Sequence, residues 1–198
     1  SRQQGQDLVK QLAAKSDVFL EYYVPGNLAS FGLDYEAIRA VHPAIIYCSV
    51  SGFGQDGPYA HKAGYDSLFQ AMSGWMQLTG HPDGAPGGGP LKTGPNIVDM
   101  IVGLNATIGI LVALRHRDQT GRGQHIDIAL MDSAVAAIAP TAMQYLVGGV
   151  VPQRTGNHPL SGGPSTMMKC RDGAVFFIAG MQKQFEALCD ILDLTQVP

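Results

Sequence analysis

Three short groups of residues have the types and spacing to do chemistry. The first centres on Asp99, which follows Lys92-Thr-Gly-Pro-Asn-Ile-Val and precedes an apolar run closed by Arg115-His-Arg-Asp-Gln-Thr-Gly-Arg122. Pro95 favours an extended approach, so a helix is expected to open around Asp99 and to stop at Gly121. A carboxylate at the N-terminal mouth of a buried helix is stabilised as an anion by the helix dipole and free amides. It is also held rigidly, which suits a nucleophile. The competing account makes Asp99 an N-cap and nothing more. The second group, Gly52-Phe-Gly54-Gln-Asp-Gly57, spells the dinucleotide fingerprint G-x-G-x-x-G after an apolar run. However, Pro58 follows at once, and no acidic residue ends a second strand where a ribose partner is required. A nicotinamide or flavin site is therefore not expected, and the glycines are read as letting a loop turn close to another ligand. The third group is Ser161-Gly-Gly163, either a loop that closes over a site or a plain linker.

Other chemistries lack their residues. Six histidines and three cysteines form no C-x-x-C or H-x-x-x-H cluster, so no metal site is expected. There is no Walker A loop and no G-x-S-x-G elbow. Cys48, Cys170 and Cys189 are odd in number and far apart, as reduced thiols of an intracellular protein would be. A net charge of −3 with scattered Lys and Arg gives no reason to expect nucleic acid or an anionic membrane as partner. Apolar segments are interrupted by Gly, Asn or Asp, so no membrane span is expected. The chain opens on Ser1-Arg-Gln-Gln with no signal peptide, as though it began partway through a larger fold.

The elements that must position these groups alternate. A helix over Gly5–Lys15 presents Leu8, Val9 and Leu12. A strand follows at Val18–Val24, then a helix at Tyr35–Val41 opened by Asp34, then a buried strand at Ala44–Val50. That order argues for an α/β, Rossmann-like parallel sheet with covering helices, and ligands of such sheets sit beyond the strands' carboxyl ends. Both loops there, Tyr22–Gly26 and Ser51–Pro58, are rich in Gly, Pro and aromatic residues. A helix is expected over Tyr65–Gln77. The helix behind Asp99 is expected to bury Ile101, Leu104, Ile108, Leu111 and Ala113 with Leu114, while Gly103, Ala106 and Gly109 leave room for a neighbour. A strand at Gln124–Leu130 leads into a helix from Asp132 to Leu146, kinked by Pro140. Three parts are expected: residues 1–148 as a large domain, 149–165 as a linker with the glycine loop, and 166–198 as the start of a smaller α+β domain. The last comprises a hairpin (Thr166–Cys170, Ala174–Ala179) and a helix at Lys183–Leu192.

Several stretches together resemble the family III CoA-transferases, the formyl-CoA and carnitine CoA-transferase group. Glu21-Tyr-Tyr-Val-Pro-Gly26 is similar to that family's Glu-Asn-Phe-Arg-Pro-Gly loop. Ile46-Tyr-Cys-Ser-Val-Ser-Gly-Phe-Gly-Gln-Asp-Gly-Pro-Tyr59 resembles its strand-and-turn signature. Lys62-Ala-Gly-Tyr-Asp66, Ala71-Met-Ser-Gly74, Pro95-Asn-Ile-Val-Asp99 and Thr120–Asp132 follow in register. The resemblance implies an interlocked homodimer and missing N- and C-terminal parts. It also implies transfer of coenzyme A from an acyl-CoA to a small carboxylic acid through an aspartyl-CoA intermediate on Asp99. Backbone amides at the helix start would stabilise the oxyanion, and no metal or redox cofactor would be needed. Tyr22, Tyr23, Lys62, Tyr65 and Asp66 would line the CoA site, and Gly162 and Gly163 would close over the intermediate. Val24 stands where the family has an Arg phosphate contact. Two alternatives stay open: an α-methylacyl-CoA racemase of the same fold, and a non-catalytic CoA-binding dimerisation domain. The racemase resemblance needs a His where Tyr65 stands, and a phenol holds its proton too firmly near neutral pH to share α-proton transfer. The location this implies is cytoplasmic, or mitochondrial or peroxisomal in a eukaryote.

Overall fold

The computed structural model describes residues 2–159 and 163–194. These form two compact units, residues 1–75 with 92–142, and residues 76–91 with 143–198. In the first, α1 (Arg2–Ala13), β1 (Val18–Glu21), α2 (Tyr35–Val41), β2 (Ile46–Ser51), α3 (Asp66–Met72), α5 (Ile97–Thr120), β3 (Gln124–Ala129) and α6 (Leu130–Ala137) surround a parallel sheet of order β1-β2-β3. Leu20, Cys48 and Ile126 stand side by side in the ladder, as do Phe19, Tyr47 and His125. Because side chains alternate along a strand, these two rows face opposite ways. One face, with Cys48, Val50, Ile126 and Ile128, packs on Val98, Val102 and Ala106 of α5 and on Phe69 of α3. The other, with Phe19 and Tyr47, packs on Ala13, Ile38 and Tyr35. Coverage on both faces explains why all six residues of β2 are buried.

Local chemistry sets the element ends. Asp34 accepts from the Ala37 amide at 3.1 Å and starts α2 where its sequence predicts. The helix expected over Tyr65–Gln77 breaks: α3 stops at Met72, Gly74 takes φ +90°, and α4 (Trp75–Leu78) resumes. Likewise the helix expected over Asp132–Leu146 begins at Leu130 and is interrupted at Ile138, after which α7 runs Ala139–Gly148 with Pro140 in its first turn. On α1, Leu8 and Leu12 are exposed, and it is Ala13 that is buried.

The largest correction concerns α5. Leu104, Ile108 and Leu111 are exposed, and the buried stripe is Val98, Val102, Ala106 and Ala113. The helix is apolar all round, so periodicity could not choose its inner side. Close approach to the sheet chose the side with small residues: a methyl on Gly109 would meet Ile126 at 3.2 Å. Gly103, Asn105 and Gly109 interrupt the apolar run without breaking the helix, and α5 is one continuous 24-residue helix long and apolar enough to cross a membrane by length and composition. Its buried stripe lies on β2, β3 and α6, as a core helix's does.

The second unit holds the antiparallel hairpin β4 (Ser165–Lys169) and β5 (Ala174–Ile178) and the helix α8 (Gln182–Ile191). Met76–Leu91 joins it. There Arg154, almost fully buried, donates to the Gln77 carbonyl at 3.1 Å and pairs with Asp83.

Candidate active site

Asp99 occupies the third position of α5, two residues after its start at Ile97, with Asn96 as N-cap residue. It is therefore not the cap. The anion at the helix mouth is Asp66, 2% exposed, which reaches across from the start of α3. Its Oδ2 accepts from the Val98 amide at 2.8 Å and the Asp99 amide at 3.1 Å. Gln70, one turn further along α3, donates to Asp66 Oδ1. Gln70 Oε1 in turn accepts from the Thr93 amide at 3.0 Å and the Thr93 hydroxyl at 3.1 Å. A buried carboxylate is tolerated only when its oxygens are satisfied in this way. The result fixes the approach segment and the first turn of α5 to α3.

Two expectations change with this arrangement. Asp66 is not presented to a ligand, because both its oxygens are engaged inside the protein. Nor does the helix start offer free amides for an oxyanion. Besides Val98 and Asp99, the Ile97 amide donates to the Pro95 carbonyl and the Met100 amide to the Asn96 carbonyl. Gln70 and Thr93 were not among the residues singled out from sequence. The four-residue spacing of Asp66 and Gln70 on one helix face was the available signal.

The Asp99 carboxylate is itself exposed and opens on a concavity of about 370 Å³. Apart from Asp99 and Tyr22 its lining is almost all apolar, chiefly Leu20, Val50, Val102, Ala106 and Ile110. Burial and then the negative charge of Asp66 push the Asp99 carboxyl above its ordinary pKa, against a hydrogen bond from Asn96 that pulls it down. Tyr22 is half-exposed and lines this concavity and a second one of about 230 Å³, in which it is joined by Tyr23, Val24, Lys62 and Tyr65. Burial first, then the charge of Asp99, raises the Tyr22 pKa above that of a free phenol. Four of the residues expected at a CoA site thus meet at the carboxyl ends of β1 and β2. Three exposed aromatic rings offer stacking faces, and the Lys62 ammonium, 3.9 Å from the centre of the Tyr59 ring, offers charge to a phosphate. That set fits a nucleotide thioester, with Lys62 as the one cation in the groove's lining.

The glycine fingerprint has an internal explanation. A Cβ on Gly52 or Gly64 would run into the Phe69 ring, while Gly54 and Gly57 take φ of +88° and +91°. Asp127 Oδ2 accepts from the Gln55 amide at 2.8 Å and holds the turn. The glycines thus serve protein packing and turn geometry, not a dinucleotide. Cys48 is buried in β2 and its thiol is pushed up to about 11, chiefly by desolvation, as a core thiol should be. Gly163 lies in the second unit with φ +99°, and Gly162 lies outside the described residues. Among the described residues no group of three or more His, Cys, Asp or Glu could hold a metal ion.

Comparison with known proteins identifies the family. A succinate–glutarate CoA-transferase of Agrobacterium fabrum is 42% identical over 191 residues, covering 96% of this chain and 47% of that protein. A succinyl-CoA:glutarate CoA-transferase of Mus musculus is 42% identical over 193 residues, covering 98% and 43%. The crystal structure of a CAIB/BAIF family protein from Brucella suis superposes with a TM-score of 0.87 at 42% identity, over 96% of this chain and 50% of that one. The chain spans about half the length of the curated relatives it matches. The family model described as CoA-transferase family III matches residues 1–198, so the chain belongs to that family.

Proposed function

We propose that the protein carrying this chain transfers coenzyme A from an acyl-CoA to a carboxylic acid, with Asp99 as covalent carrier. The observation that carries this reading is the placing of Asp99 on an apolar concavity that shares Tyr22 with the groove of Tyr23, Lys62 and Tyr65. An Asp99 oxygen attacks the thioester carbonyl, the carbonyl π pair moves to oxygen, and collapse expels CoA thiolate to leave a mixed anhydride. The thiolate then attacks the aspartyl carbonyl and releases the donor acid, leaving an aspartyl-CoA thioester. The acceptor carboxylate attacks that thioester and the same two exchanges run in reverse order. The steps join species of similar energy and need no net proton transfer. The racemase reading gains nothing from the geometry, since the site holds a phenol at Tyr65 where that chemistry needs an imidazole. Relatives named for succinyl and glutaryl groups make short dicarboxylic acids the first to try. A homodimer fits the exposed apolar side of α5, and sedimentation of the full-length protein would test it.

The deciding experiment incubates full-length protein with succinyl-CoA and glutaryl-CoA, quenches with hydroxylamine and maps the product by mass spectrometry. A hydroxamate on Asp99, absent from Asp99→Ala, is the expected result. Turnover that survives Asp99→Ala in the full-length protein, with no adduct from any thioester, would put the chemistry outside this chain and leave it as a non-catalytic CoA-binding module.

A further inference from the structure

The proposed reaction places a negative charge on the thioester oxygen as Asp99 attacks, and a hydrogen-bond donor aimed at that oxygen would stabilise it. The usual candidates, the amides of the first turn of α5, are committed: two to Asp66, one to Pro95 and one to Asn96. In the concavity that holds Asp99, two side chains carry an O–H. The Thr107 hydroxyl donates to the Gly103 carbonyl of its own helix at 2.8 Å. The amides of Val102, Gly103, Ala106 and Ile110 belong to the interior of α5. Of the two hydroxyls that leaves Tyr22's, for which no hydrogen-bond partner is found among the described residues.

Position favours it as well. Tyr22 directly follows β1, at the carboxyl end of the sheet, and lines both the Asp99 concavity and the groove with Lys62 and Tyr65. Tyr22 and Val50 are the two residues that line both, so Tyr22 stands between Lys62 and Asp99 in the combined lining. We propose that the Tyr22 hydroxyl is the hydrogen-bond donor to the thioester oxyanion, and that it does in this chain what helix-start amides cannot. The inference rests on the transfer reading given above. In the step itself Asp99 oxygen bonds to the thioester carbon, the carbonyl pair becomes the oxyanion and the Tyr22 proton stays on the phenol while bridging to it. On collapse the carbonyl reforms and the C–S bond breaks, sending its pair out on the CoA thiolate. Burial and the nearby Asp99 charge keep the phenol protonated, so it remains a donor across the working pH range.

Tyr22 is also where this sequence departs from the Glu-Asn-Phe-Arg-Pro-Gly pattern, having a phenol in place of an amide side chain. Both can donate, so the donor function would survive the exchange of residue type. The test uses full-length Tyr22→Phe, which keeps the ring and its stacking and loses only the O–H. Release of CoA thiolate is followed with a chromogenic thiol reagent in a single turnover, alongside steady-state constants. Expected is a fall of about 10–100-fold in the thiolate-release step and in kcat, the scale of losing one oxyanion donor or somewhat less, with KM for acyl-CoA little changed. Tyr22→Asn should recover more of that rate than Tyr22→Phe, a recovery that a stacking or packing role does not predict. Wild-type release speed in Tyr22→Phe, or a rise in KM without loss of kcat, would overturn the assignment. If wild-type protein forms no hydroxylamine-trapped adduct at all, it is the transfer reading that fails.

Discussion

Asp66 and Asp99 are two carboxylates with different tasks set by their surroundings. Asp66 is buried and fully hydrogen-bonded, and Asp99 is open to the concavity with its pKa raised by burial and by Asp66. In the proposed transfer the ionised form of Asp99 attacks, so the acid limb of the rate profile is expected above the ordinary carboxylate range. Asp66→Asn keeps an acceptor for the α5 amides and removes the charge. It should move that acid limb to lower pH, because the repulsion that raised the Asp99 pKa is gone. It should also lower stability by about 0.5–1 kcal/mol through loss of an anion at the helix mouth. A pH–kcat profile and a denaturant titration read the two effects separately, and an acid limb that stays in place would refute the coupling. The helix start that positions Asp99 is legible in the sequence, because Pro95 and the apolar run announce it. The identity of the capping anion is not, since Asp66 lies 33 positions from the Asp99 amide and only folding joins them.

At the scale of elements, the sheet and its helices were readable wherever a local signal met a tertiary demand. Asp34 caps α2 as its type predicts, and β2, a mostly apolar strand with Ser49 and Ser51, is buried along its whole length. The inner side of α5 was not readable, because Leu and Ile at helical spacing occur on both sides and the sheet admits the smaller set. Gly123 sets the approach of β3 to β2. Its amide donates to the Pro43 carbonyl at 3.1 Å, and a Cβ there would press into the Ile45 carbonyl. Backbone on both sides of that clash leaves little room to relax. Gly123→Ala is expected to cost about 3 kcal/mol or more, seen as a lower denaturant midpoint with the slope unchanged. A loss under about 0.5 kcal/mol, the range of neutral surface changes, would show that the register can shift to absorb it.

For the whole molecule, the notable surface is the outer side of α5, where Leu104, Ile108, Leu111 and Val112 are each about 60% exposed. A continuous apolar stripe of this kind marks an interaction surface or drives association. The 198-residue chain alone is expected to bind a hydrophobic dye and to self-associate at micromolar concentration, and Leu104→Lys with Ile108→Lys to reduce both. Light scattering checks this, and a monodisperse, dye-silent wild-type chain would count against it. The other whole-molecule feature is the way residues 76–91 belong with residues 143–198 through Arg154. Anyone grafting the smaller unit onto a relative must therefore transplant two separate strips of gene. A chimera joined at a single seam after Ala142 would inherit a guanidinium whose carbonyl and carboxylate stayed behind in the donor.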